Sequence, residues 1–191
     1  MKDLLMVIDM QKAYLRGAPW ECLDTEGAEK NIVRLLESSA CDGVMITRYE
    51  YPKDPQGVWQ EYNVVYADIN ADPVNEEFTD GIAPFAERYP VYVKDVYGSF
   101  SDPAIRAAVR ETGCDTLVVC GVVAECCVLS TVMGAIDEGY KVIYLTDAVS
   151  GFTEEKMNGV LAVLSGFMPL HAEAMTTEEY LESRAIDMKK E

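Results

Sequence analysis

Histidine and basic residues are scarce in this chain of 191 residues. It has one histidine, His171, and 16 Lys and Arg against 33 Asp and Glu, which gives a formal net charge of -17. A single histidine excludes a metal site built from several imidazole ligands. The excess of acidic residues disfavours nucleic acid as a partner, because binding to its phosphate backbone depends on clustered Lys and Arg.

Long apolar runs, linkers and repeats are absent as well. No run approaches the roughly 20 apolar residues that cross a bilayer. The segment Met1-Lys2-Asp3 leads directly into an apolar strand, without the basic region and cleavage site of a signal peptide. The six cysteines lie among residues typical of buried strands and helices, which favours reduced thiols. We therefore expect one domain, residues 1–191, in a cytoplasmic protein that does not bind membranes.

Apolar runs bounded by turn residues alternate with helical patterns, which is typical of repeated βαβ units in an α/β protein. The pattern predicts strands at 4–9, 43–47, 91–94, 116–120, 141–145 and 167–170, and helices at 25–39, 103–111, 125–138 and 154–164. Asp102 and Thr153 are predicted N-caps, and Thr176 with Glu179 predicts a capping box for a last short helix.

Residues 48–80 interrupt this alternation. They are rich in Pro, Asn, Asp and aromatic residues, among them Trp59, Tyr62 and Tyr66. Long loops in compact domains tend to be functional, so the segment predicts a loop or lid over a substrate. A surface excursion or an oligomer contact is the alternative.

Three chemically active side chains follow predicted strands. Asp9 closes the first, Lys94 closes the third, and Cys127 lies just past the fourth. Because the carboxyl ends of parallel strands meet at one edge of a sheet, a base, a cation and a thiol are expected in one crevice. Taken singly, Asp9 is more often a strand-end or capping residue, and Lys94 often reaches solvent or pairs with Asp95.

The segment from Gly121 to Cys127 runs from a strand end into a helix. Free amides and the positive end of the helix dipole lower a thiol pKa there, and the same amides can hold an oxyanion. Small core cysteines, or a vicinal disulfide between Cys126 and Cys127, are the alternatives.

These motifs together resemble the isochorismatase-like cysteine hydrolase superfamily, which includes nicotinamidases and N-carbamoylsarcosine amidases. The resemblance covers nearly the whole chain. The matching segments are 7–11 with Tyr14, 47–48, Lys94 followed by Ser99-Phe100, 121–128, 137–140 and 146–148.

The resemblance implies a three-layer α/β/α fold with a six-stranded, mainly parallel, Rossmann-like sheet. It implies a catalytic triad in which Asp9 is the general base, Lys94 the electrostatic partner and Cys127, which precedes Val128, the nucleophile. It also implies a cis peptide bond between Val122 and Val123, with the amides of Val123 and Cys127 as the oxyanion hole. A homo-oligomer is expected on the same ground.

This chain departs from the family pattern at positions where nicotinamidases bind a metal. Where nicotinamidases place an Asp and a His as metal ligands, this chain has Tyr49 and Tyr51. We therefore predict no required metal or other cofactor and a structural role for His171, and the same departure disfavours nicotinamide hydrolysis. A carboxylate site using Glu50 or Asp54 stays open.

The presence of Cys127 favours amide over ether chemistry, because true isochorismatases characteristically lack this thiol. We predict hydrolysis of a C–N bond in a small amide, ureido or carbamoyl substrate through a thioester. The aromatic residues Tyr14, Trp59, Tyr97 and Phe100 are candidate pocket residues for a small planar substrate, or else ordinary packing. An ether hydrolase using Asp9 and Lys94 alone, and a silent binding or oligomerisation module, are the alternatives.

Overall fold

A computed structural model describes residues 2–187 of the chain. Its six strands are β1 (Asp3–Ile8), β2 (Gly43–Tyr49), β3 (Val91–Lys94), β4 (Thr116–Gly121), β5 (Lys141–Val149) and β6 (Ala172–Met175). Its α-helices are α1 (Thr25–Ser38), α2 (Val58–Val65), α3 (Ala67–Ala71), α4 (Ala83–Ala86), α5 (Pro103–Thr112), α6 (Leu129–Asp137), α7 (Glu154–Ser165) and α8 (Thr177–Asp187). A π-helical turn spans Ala124–Val128, and short 3-10 segments span Lys12–Tyr14, Pro73–Glu76 and Ser99–Ser101.

The strands form one parallel sheet in the order β3-β2-β1-β4-β5-β6. From β1 the chain adds β2 and β3 on one side. It then returns and adds β4, β5 and β6 on the other side of β1. Such a reversal leaves a crevice at the carboxyl ends of β1 and β4, where open α/β sheets bind ligands. The predicted α/β class and parallel sheet are confirmed.

Side chains along the buried strands point alternately to the two faces of the sheet, so each face has its own hydrophobic core. Leu4, Met6 and Ile8 of β1 face one core, with buried side chains of α5, α6 and α7. Leu5 and Val7 face the other, with buried side chains of α1, α4 and α8. Helices therefore cover both faces of the sheet, as the three-layer expectation requires.

The predicted last strand was misplaced. Residues 167–170 form turns that include a cis Met168-Pro169 bond, and β6 begins at Ala172. A proline cannot donate to a strand ladder, which disfavours this apolar run as a strand. The predicted caps are confirmed: Asp102 accepts from the Ala104 amide and Thr153 from the Lys156 amide. Thr176 and Glu179 exchange the bonds of a capping box.

The segment 48–80 is not a long loop. It completes β2 and then forms α2, α3 and a 3-10 segment. Neither α2 nor α3 has a fully buried residue, so their attachment depends on half-buried aromatic side chains. This segment stands beside the crevice described below. In residues 2–187, no helix combines the length and apolarity needed to span a bilayer.

Candidate active site

Asp9 follows β1 and is fully buried. Its φ of 49° is left-handed, a conformation that Asp tolerates better than most residues. Its amide donates to the Thr47 carbonyl at 3.2 Å, and the Thr47 hydroxyl donates to Asp9 Oδ1 at 2.7 Å. The end of β2 therefore fixes both the backbone and the carboxylate of Asp9.

Lys94 ends β3, two strands away, and reaches Asp9 across β2. Its Nζ lies 2.6 Å from Asp9 Oδ2, and both side chains are fully buried. The same Nζ donates to the Val96 carbonyl at 3.1 Å and lies 5.4 Å from the centre of the Tyr49 ring. Burial lowers the pKa of Lys94, but Asp9 and Cys127 outweigh burial and hold it above its usual value. Lys94 is therefore a buried cation paired with Asp9.

The end of β4 is held tightly against the end of β1. The Val122 amide donates to the Ile8 carbonyl at 2.9 Å, and the Val122-Val123 peptide bond is cis. Gly121 has a φ of 114°, and a Cβ there would lie 2.0 Å from the Ile8 carbonyl oxygen. Only glycine permits this approach.

The chain then enters a π-helical turn, Ala124–Val128, rather than the start of the α-helix expected at 125. Four backbone amides in and just before this turn already donate to carbonyl oxygens: that of Val122 before it, and those of Ala124, Cys126 and Val128 within it. None of these four can hold an oxyanion without losing its bond. The two amides implied by the resemblance, Val123 and Cys127, are different ones.

Cys127 lies in this turn with 3 % of its surface exposed. Its thiol interacts with both the Asp9 carboxylate and the Lys94 ammonium. Burial and the Asp9 carboxylate raise the pKa of the thiol, whereas the Lys94 ammonium lowers it. The resulting pKa lies above the usual value of a thiol. The lowered thiol pKa expected at this helix start is not found, because burial and the Asp9 charge raise the pKa more than Lys94 lowers it.

An aromatic cavity of about 120 Å³ opens above Cys127. Its walls are formed by Tyr14, Trp20, Tyr49, Tyr62, Tyr66, Tyr97, Val123, Cys126, Cys127 and Phe152. The rings contact one another: Trp20 stacks on Tyr14 at 5.8 Å, and Tyr62 lies 4.7 Å from Tyr66. The lining is apolar except for tyrosine hydroxyls, the Trp20 indole N–H, thiols and backbone groups.

The four candidate pocket residues divide into two groups. Tyr14 and Tyr97 line the cavity. Trp59 is outside its wall, with its ring 5.1 Å from Tyr97, and so supports the wall rather than forming it. Phe100 is buried in the α5-α6-α7 core, 5.9 Å from Tyr140, and is not a wall residue. Its place after β3 did not reveal which face of the sheet it packs on.

Sequence reasoning missed Trp20, Tyr49 and Phe152 as wall residues. Tyr49 ends β2 and Phe152 follows β5 closely, whereas Trp20 lies in the turns between the Lys12–Tyr14 segment and α1. The strand-end position, shared with Asp9 and Lys94, is the signal that would have found Tyr49 and Phe152; no such signal marks Trp20.

The positions relevant to metal binding contain no ligand cluster. Tyr49 lines the cavity, and Glu50 forms an ion pair with Arg48 at 2.6 Å. The side chains of Asp54 and His171 are exposed. Across residues 2–187, no three His, Cys, Asp or Glu side chains are grouped as a metal site would require. His171 is at the surface before β6, where its carbonyl accepts from the Val142 amide.

Solved structures share this fold. An isochorismatase family protein from Desulfovibrio vulgaris superposes with a TM-score of 0.81 at 21% identity, covering 100% of this chain and 99% of that one. An N-carbamoylsarcosine amidase from Thermoplasma acidophilum superposes with a TM-score of 0.73 at 23% identity, covering 93% and 97%. At these identities the likeness establishes the fold.

Sequence comparison extends the likeness to the family. An uncharacterized isochorismatase family protein of Bacillus subtilis, YddQ, is 26% identical over 188 residues, which are 95% of this chain and 99% of the relative. The family model of the isochorismatase domain matches residues 3–179. The protein belongs to the isochorismatase family and, with it, to the hydrolases.

Proposed function

We propose that this protein is a cysteine hydrolase that cleaves a C–N bond of a small amide, ureido or carbamoyl substrate, with Asp9, Lys94 and Cys127 as its triad. The observation that carries the proposal is the contact of the Cys127 thiol with a fully buried Asp9–Lys94 pair at the floor of a cavity. A nucleophile, a base within reach and a group that orients the base are the parts that covalent catalysis needs.

In the first half-reaction, Asp9 accepts the thiol proton as Cys127 Sγ attacks the substrate carbonyl carbon. A base is required because burial and Asp9 hold the pKa of the thiol above its usual value. Lys94 favours the thiolate as it forms. The amides of Val123 and Cys127 stabilise the oxyanion, a contribution that in other enzymes is worth about 3 kcal/mol per donor.

The tetrahedral intermediate then collapses, the C–N bond breaks, and protonated Asp9 gives its proton to the leaving nitrogen. Water attacks the resulting thioester and passes a proton to Asp9. When the C–S bond breaks, Asp9 returns the proton to Cys127. The products are ammonia or an amine and a carboxylic or carbamic acid, and the enzyme is regenerated.

The test is ammonia release across small primary amides, ureido acids and N-carbamoyl compounds, with and without EDTA. Cys127→Ala should abolish turnover and leave the fold intact. Cys114→Ala is the matched control, because that thiol lies between α5 and β4 in the core. Retained ammonia release in Cys127→Ala would refute the thiol as the nucleophile. Hydrolysis of a vinyl ether that survives Cys127→Ala, without ammonia release, would favour an ether-type hydrolase using Asp9 and Lys94. Loss of wild-type activity in EDTA would contradict the prediction that no metal is required.

The homo-oligomeric state and the cytoplasmic location stay predictions. Val58, Val64 and Val65 of α2 are each more than 60 % exposed, so α2 is one surface to test in assembly. Size-exclusion chromatography with light scattering, on wild type and on Val64→Asp, would test whether α2 takes part.

A further inference from the structure

We propose that the cavity selects small, flat, uncharged amides and ureas and rejects substrates that carry a carboxylate, with the Tyr49 hydroxyl as the polar contact that orients them. The inference rests on the proposed function for the site of hydrolysis and adds the substrate class.

Among the residues that the structure describes, the cavity walls hold no free cation. Of the ten wall residues named above, all within the described chain, none has a basic side chain. Lys94 contacts Cys127 beneath the floor, but its ammonium is committed to Asp9 at 2.6 Å and to the Val96 carbonyl. A substrate carboxylate would lose its hydration without gaining a cationic partner, which is strongly unfavourable.

The charges behind the wall do not change this balance. Cys126 lines the cavity, and behind it Glu125 and Lys156 lie 3.4 Å apart, so that their charges offset each other. The chain as a whole carries a net charge of -17, which repels anions as they approach. Neither the local pair nor the overall field favours a negatively charged ligand.

The shape of the cavity also favours a planar ligand. The tyrosine and tryptophan rings form flat walls, with Trp20 5.8 Å from both Tyr14 and Tyr66. Their faces and edges suit a planar ligand. The cavity volume of about 120 Å³ is close to that of an engineered cavity of about 150 Å³ that binds benzene. A carboxamide or urea of similar size fits this space.

The Tyr49 hydroxyl is the polar group assigned to the ligand. Tyr49 is 5 % exposed, and its buried hydroxyl has the Tyr62 hydroxyl as its neighbour, outside normal hydrogen-bond geometry, so that a ligand would compete with Tyr62 for it. Its backbone is fixed on both sides by Gln11, which accepts from the Tyr49 amide and donates to the Tyr49 carbonyl, each at 2.9 Å. A ligand oxygen or ring nitrogen would satisfy this hydroxyl.

The hydroxyl is a donor at neutral pH. Burial raises the pKa of Tyr49, and the neighbouring Tyr62 hydroxyl raises it further, so the phenol stays protonated. Tyr49 occupies the position at which the metal-binding relatives were expected to have an Asp. The polar contact in this chain is therefore made by a neutral donor.

The test measures binding to Cys127→Ala by calorimetry at pH 7.5, so that it does not depend on turnover. The probes are benzamide and two matched pairs: ethylurea with N-carbamoylglycine, and terephthalamide with 4-carbamoylbenzoate. Each pair differs by one carboxylate. We expect the uncharged member to bind at least about tenfold more tightly, since removing an ion from water without a partner costs more than this factor. Equal affinity, tighter binding of the carboxylate, or no binding of any uncharged probe would overturn the proposal.

Tyr49→Phe, made in the same background, tests the hydroxyl. We expect benzamide affinity to fall by about fivefold to tenfold, the usual effect of one lost neutral hydrogen bond. Tyr140→Phe is the control, because Tyr140 packs on Phe100 away from the cavity. Unchanged benzamide affinity in Tyr49→Phe would overturn the assigned role. Absence of hydrolysis by wild type would refute the proposed function and leave this binding preference measurable.

Discussion

The Thr47 hydroxyl donates to Oδ1 of Asp9 at 2.7 Å, while Lys94 holds the other carboxylate oxygen at 2.6 Å. The carboxylate is thus fixed at both oxygens by the ends of two different strands. In the proposed mechanism, a base held in this way stays aligned with Cys127 as the proton moves, which is the positional accuracy that catalysis requires.

Thr47→Val should therefore lower kcat as well as stability. The substitution keeps the shape of the side chain and removes one hydrogen bond to a charged group, worth about 1.5–3 kcal/mol. We expect kcat to fall at least about tenfold. Thr79→Val is the control, because the Thr79 hydroxyl is buried without a partner and its loss should be neutral. Steady-state ammonia release measures kcat, and urea unfolding measures stability, for both variants. An unchanged kcat in Thr47→Val would contradict the positioning role.

The Asp9–Lys94 pair can be tested by a double-mutant comparison. Asp9→Asn leaves Lys94 fully buried without its counter-charge, which should destabilise the protein by about 3–5 kcal/mol. Adding Lys94→Met should recover much of that loss, because no unpaired charge remains. Activity should be absent in both. Urea midpoints measure the first effect, and recovered activity in the double variant would contradict the triad.

Asp9→Asn should also separate thiol reactivity from turnover. The negative charge of Asp9 contributes to the raised pKa of Cys127, so its removal should lower that pKa and speed alkylation by iodoacetamide. Turnover should fall at the same time, because the base is lost. Mass spectrometry measures the rate of Cys127 alkylation over pH 6–9. Alkylation that slows in parallel with activity would mean that Asp9 promotes the thiolate at rest.

Gly121→Ala should be poorly tolerated. Its φ of 114° and the 2.0 Å approach of a new Cβ to the Ile8 carbonyl oxygen would force β4 away from β1. We expect a loss of about 3 kcal/mol or more in the free energy of unfolding. Gly159→Ala in α7 is the matched control: nothing lies within 4 Å of its Cβ position, and it should gain up to about 1 kcal/mol. Equal stability of the two variants would contradict the account of this turn.

Stability should fall at alkaline pH. Burial raises the pKa of Cys22 to about 12 and that of Cys41 to about 12. In the unfolded chain a thiol ionises near a pKa of about 8.5. Between these values the unfolded state binds fewer protons than the folded state. The free energy of unfolding is therefore fully retained below about pH 8.5 and should fall by about 1.4 kcal/mol per pH unit for each thiol above it.

Urea unfolding at pH 7, 9 and 10.5 measures this dependence. The double variant Cys22→Ala/Cys41→Ala should show a shallower decline than wild type. A profile that is flat to pH 10.5 would contradict the raised pKa values assigned to buried Cys22 and half-buried Cys41.

The sequence predicted the first five strands because each is an apolar run with a turn on either side, and their carboxyl ends located Asp9 and Lys94. It misplaced β6, an edge strand of four residues, Ala-Glu-Ala-Met, which lacks such a run. It also predicted a loop where α2 and α3 form, since these short helices bury no complete residue and depend on aromatic contacts from distant segments. The side on which Phe100 packs depends on the same tertiary contacts, which no local pattern encodes.

The cavity floor and one side of the cavity wall differ in how they are anchored. The floor is built on strand ends that also hold the sheet together, whereas Tyr62 and Tyr66 belong to α2 and its C-terminal cap, and no residue of α2 is fully buried. We expect replacement of these wall residues to reshape the cavity at small expense in folding stability. For engineering, the proposed reaction centre is fixed and this side of its entrance is exchangeable.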